Sequence, residues 1–100
     1  MWERLDALME QIASADEPYP IASEVGGCVL DAIIDSLPAE YVYLIWAELT
    51  DHWELKPDER AEAETLMRRA ATEWLAVRHD ATARERHLDR WMFEVCGYKR

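Results

Sequence analysis

Prolines at positions 18, 20, 38 and 57 cut this chain into pieces, and within the pieces apolar residues return every three or four positions. A proline lacks the amide donor and disfavours helical geometry in the residue before it, so it either stops a helix or stands in its first turn. The pattern predicts an all-α fold: one compact, bundle-like domain over residues 1–100 with about five helices. A hundred residues are enough for one real core and too few for two.

Trp2, Leu5, Leu8, Met9 and Ile12 line one face of a first helix from about residue 2 to 14, with Glu3, Asp6 and Glu10 turned away. Pro18 and Pro20 end it, and Tyr19 between them is expected to pin the loop to the core. A second helix is expected to be capped by Ser23 and to run to Leu37. Its wheel is apolar around most of the circumference, with Val25, Val29, Ala32 and Ile33 on one side and Leu30, Ile34 and Leu37 extending it. That makes it, or the third helix, the most enclosed element. Gly26 and Gly27 each weaken a helix by about 1 kcal/mol relative to alanine, which points to close approach of a neighbouring backbone.

Two further helix starts are marked by one device, "LPAE" and "KPDE", where proline suits the first turn and Glu40 or Glu59 favours the positive end of the helix dipole. The fourth helix, about 57–79, has Ala63, Leu66, Met67, Ala70, Trp74 and Val77 inside, with Glu64–Arg68 and Arg69–Glu73 one turn apart outside. Asp80, or a Thr82/Glu85 capping box, opens a fifth, with Leu88, Trp91, Met92 and Val95 inward and Gly97 as its stop. The tryptophans, Trp2, Trp46, Trp53, Trp74 and Trp91, fall on or near these stripes and read as a shared aromatic core.

The run Tyr41 to Ala47 is wholly apolar or aromatic and would pass for a buried strand, but it follows the Pro38 helix start. On a helical wheel Val42, Ile45, Trp46, Leu49 and Trp53 face inward. The opposite face receives Glu40, Tyr41, Leu44, Glu48, Asp51 and His52. Tyr41 and Leu44 then either fill a second contact inside the domain or form an apolar anchor with an acidic rim, the composition of a protein-binding site selective for basic partners.

Charge favours the same class of partner. The formal net charge is −10, and residues 1–56 carry all of it, with no Lys or Arg between Arg4 and Lys56. Such a surface repels nucleic acid and anionic membrane, so direct binding to either is not expected. No apolar run approaches the ~20 residues that span a bilayer, and the amphipathic start is no secretion signal, so the expected location is the cytoplasm. Cys28 and Cys96 lie outside any CxxC pair and read as two thiols whose pairing the sequence leaves open.

Catalytic and metal patterns are missing from the sequence. Ser14, Ser23 and Ser36 sit where caps or turns would use them, and none lies in GxSxG. Glu48 and His52, one helical turn apart, could supply two metal ligands but belong to no recognised spacing, and no cofactor is expected. The expected function is a non-enzymatic acidic protein-binding module that engages a basic protein or basic segment through Glu40, Tyr41, Leu44, Glu48 and Asp51. Inhibitors of the immunity-protein, antitoxin or anti-defence kind, and adaptors, offer the analogy. The alternatives are a homodimer formed through the third helix and a small enzyme or metal-binding protein using Glu48 and His52.

Overall fold

A computed structural model describes residues 1–100. Its α-helices are α1 (Trp2–Ser14), α2 (Tyr19–Ala22), α3 (Val25–Val29), α4 (Leu37–Leu55), α5 (Arg60–Val77) and α6 (Ala81–Asp89). There is no strand. Short 3-10 turns lie at Leu30–Ala32 and Pro57–Glu59, and α6 continues into a π-helical turn, Arg90–Val95.

Helix α4 is the hub, touching α2, α3, α5, α6 and the π-turn. Its start combines two local devices: Ser36 accepts a hydrogen bond from the Ala39 amide at 3.2 Å, and Pro38 occupies the first turn. Ala39, Val42, Ile45, Trp46 and Leu49 are buried, which is the inward face expected from the wheel; Trp53 is half-buried. A tight turn at Lys56 reverses the chain into α5, and the turn is held by the Arg60 guanidinium, which donates to the Trp53 carbonyl at 3.0 Å.

Helix α1 lies antiparallel on α5, and polar clamps at both ends fix its register. At one end Trp2 stacks on Trp74 at 5.9 Å, and the Trp74 indole donates to Asp6 at 2.9 Å. At the other, Arg68 donates to the carbonyls of Ala15 and Asp16, both at 2.8 Å. Arg68 therefore ties down the loop instead of pairing with Glu64, which accepts from the Trp53 indole at 3.2 Å. The other expected pair, Arg69–Glu73, is present at 3.0 Å.

The second helix departs from expectation. In place of one central helix from Ser23 to Leu37 there are the short α2 and α3, a 3-10 turn, and an irregular passage into α4. Ser23 caps nothing, since its hydroxyl donates back to the Pro20 carbonyl at 2.8 Å. A wheel that is apolar all round has no phase, and the paired glycines interrupt propagation, so packing decides the path. Val25 and Val29 enter the core, whereas Leu30, Ile34 and Leu37 are exposed. No neighbouring backbone approaches either glycine: a Cβ at Gly26 would meet only the Tyr43 ring, at 3.4 Å, an ordinary contact, and a Cβ at Gly27 would meet nothing within 4 Å.

The core is one cluster drawn from α1 through the π-turn, and Trp46, Trp74 and Trp91 are buried in it. Trp2 and Trp53 pack at its edge, the latter stacked on Tyr19 at 3.9 Å, so the loop between prolines is pinned as expected. The radius of gyration, 12.4 Å, fits a single packed body, for which about 13 Å is typical at this length. No helix is long and apolar enough to cross a membrane.

Candidate functional site

The five residues nominated on α4 separate into two environments. Tyr41 and Leu44 are half-buried by the chain's own C-terminal segment. Phe93 of the π-turn meets the Tyr41 ring edge to face, at 5.9 Å and 88°, and the Tyr98 hydroxyl donates to the Leu44 carbonyl at 3.1 Å. Gly97 makes this reversal possible: its φ is +77°, a left-handed turn that directs Tyr98 back onto α4. Lys99 and Arg100 accompany it and border the same groove as Glu40. Around Tyr41 the acidic rim is therefore partly offset by the chain's own basic residues.

One to two turns further along α4, Glu48 and Asp51 are exposed and border a shallow cleft with His52, Leu55, Lys56 and Glu59. The His52 imidazole bonds Glu59 across the α4–α5 turn at 2.8 Å, so its partner is Glu59 and not the Glu48 of the sequence reading. Donor atoms of His52, Glu59 and Glu62 lie within 4.8 Å of one another, a set able to offer a divalent cation three ligands, two of them from exposed carboxylates.

The thiols are free, and Cys96 is pushed up to about 12, by burial first and then by the Glu48 charge. It is thus a neutral thiol at neutral pH, the reverse of the lowered pKa that activates a nucleophile. Tyr98 is likewise raised, by burial and then by Glu48, Cys96 and Asp51.

A buried polar cluster lies on the far side of the core and was not foreseen from the sequence. His87, 5% exposed, stands between Trp74 and Trp91, at ring separations of 6.1 and 6.2 Å, and its Nδ1 has no hydrogen-bond partner. Burial, with Arg90 adding to it and Glu73 opposing, lowers its pKa to about 4, so the ring is neutral. Burial alone would raise Glu73, but bonds from the Trp91 indole, Arg69 and Arg90 outweigh it and hold the carboxyl below its ordinary range. The cluster joins α5 to α6, with the Glu73 carboxylate paired to both Arg69 and Arg90.

The other feature missed is apolar. Leu30, Ile34 and Leu37 are 54%, 93% and 59% exposed within eight residues, and Asp31 and Asp35 are exposed among them. Leu37 also borders a groove of about 360 Å³ between the start of α4 and α6, floored by Pro38, Tyr41 and Leu88. The only advance signal was the surplus of apolar residues on the second helix, more than one neighbour could cover.

Comparison of the chain with protein-family models, with curated proteins and with solved structures returned no match.

Proposed function

We propose that this chain is a non-enzymatic acidic protein-binding module, an inhibitor or adaptor in the cytoplasm that engages a basic protein surface. The observation that carries the reading is the one-sided charge: eleven carboxylates and no Lys or Arg lie between Arg4 and Lys56, and Glu48 and Asp51 of this stretch stand exposed on α4. A field of one sign steers association with a partner of the opposite sign and rejects partners of its own. Glu40, Glu48 and Asp51 provide the charge, and the exposed part of Tyr41 and Leu44 provides apolar contact beside it.

The homodimer reading has less support. Phe93 and Tyr98 already occupy much of the Tyr41–Leu44 face, and an isologous pairing would bring its carboxylates toward their own copies. Affinity capture from the native host's lysate, at low and at physiological salt, tests the proposal. A basic protein retained at low salt and released by salt is the expected result; recovery of no protein, or of acidic ones only, contradicts it.

A further inference from the structure

We infer that the ridge formed by Leu30, Ile34 and Leu37 is a docking site for a basic amphipathic helix of a partner protein. The inference deepens the acidic-binding reading above and rests on it. Three large aliphatic side chains stand exposed at spacings of four and three residues, with Ile34 almost wholly in water. Asp31 and Asp35 alternate with them, both exposed, with no Lys or Arg between Arg4 and Lys56 in the sequence; Lys99 and Arg100 reach only the Leu37 end, where they border its groove. Apolar contact interleaved with the exposed carboxylates of Asp31 and Asp35 suits a partner whose apolar stripe is flanked by Lys or Arg.

The chain's architecture narrows the form of that partner. Strand addition needs a sheet edge, and this all-α surface has none, whereas an amphipathic helix satisfies its own backbone and can lay one apolar stripe on the exposed side chains. The groove beside Leu37, floored by Pro38, Tyr41 and Leu88, can take one bulky apolar side chain, and Glu85 and Asp89 on its rim outnumber Arg84. A second copy of this chain fits less well. A two-fold pairing would set Asp31 and Asp35 against their own copies, with no Lys or Arg in the segment to offset them.

The test measures fluorescence anisotropy with labelled peptides: a Leu/Lys amphipathic helix, the same residues scrambled, and a Leu/Glu amphipathic helix. Wild type is expected to bind the first at least about tenfold more tightly than the other two. Ile34→Ser and Leu37→Ser should each weaken it several-fold or more, whereas Ala76→Ser, on the exposed side of α5 and away from both acidic surfaces, should not. Because Ile34 is so exposed, its variant should keep the wild-type circular dichroism, so lost binding reports the surface. Equal binding of the ordered and scrambled basic peptides, with Ile34→Ser silent, would overturn the ridge and leave the charge reading intact. Equal binding of the Leu/Glu peptide would overturn both, as would no binding at all. Self-association in sedimentation that Ile34→Ser abolishes would give the ridge to a second copy and overturn the inference.

Discussion

The Tyr98 hydroxyl donates to the Leu44 carbonyl at 3.1 Å, a bond between residues 54 positions apart that lays the end of the chain across the outer face of α4. It sets how much of Tyr41 and Leu44 a partner can reach. Tyr98→Phe removes only the hydroxyl and should destabilise by about 0.5–1.5 kcal/mol, the usual net worth of one hydrogen bond. Urea denaturation reads it; a larger loss would mean that the tail supports the core as a whole.

Trp46 is buried on the inward face of α4, 4% exposed. Trp46→Ala should cost about 3–5 kcal/mol, through lost burial and the cavity left behind. Near-wild-type thermal stability would show that the inward face of α4 is wrongly assigned.

Ser36 accepts from the Ala39 amide at the start of α4. Ser36→Ala should lower stability by about 1 kcal/mol, and Ser36→Asp should retain most of it. Ser23→Ala, at the position expected to cap a helix, should have a smaller effect, because Ser23 bonds backward to Pro20. Equal losses at both sites would contradict the helix boundaries.

These sites show what the sequence made legible and what it did not. α1, α4, α5 and α6 carry short-range signals: an apolar stripe with one clear phase, proline in or just before the first turn, Asp80 as a cap. The segment from Ser23 to Leu37 lacks a phase, so the wheel does not separate Val25, Val29 and their half-buried neighbours, which find room in the core, from Leu30, Ile34 and Leu37, which do not. The candidate face failed differently. A wheel phases α4 correctly but knows nothing of Phe93 and Tyr98, which reach Tyr41 and Leu44 only because Gly97 turns the chain back. His87 was invisible for the same reason: a histidine beside a leucine stripe acquires its environment from Trp74 and Glu73 on another helix.

That environment gives stability a definite pH dependence. His87 has its pKa lowered to about 4 from 6.5, so the unfolded chain takes up a proton there before the native one does. Its contribution is complete above about pH 6.5 and is lost as pH falls through the window to about 4, to the extent of about 3 kcal/mol. Glu73, also lowered, acts in the same direction below the ordinary carboxylate range. Urea midpoints measured from pH 7 to 4 should fall across this window for wild type and much less for His87→Leu. Parallel curves would mean that His87 takes up its proton in the native protein at the same pH as in the unfolded chain.

The exposed carboxylates Glu48 and Asp51 of α4 are expected to guide a basic partner onto the protein. With the partner retained by affinity capture, association and dissociation rates should be measured for wild type and for the double variant Glu48→Lys, Asp51→Lys, after circular dichroism has shown both to be folded. At low salt the association rate should drop about tenfold or more in the variant while dissociation changes little, and physiological salt should narrow the difference. A folded variant that associates as fast as wild type at low salt would show that this acidic surface only solubilises the protein.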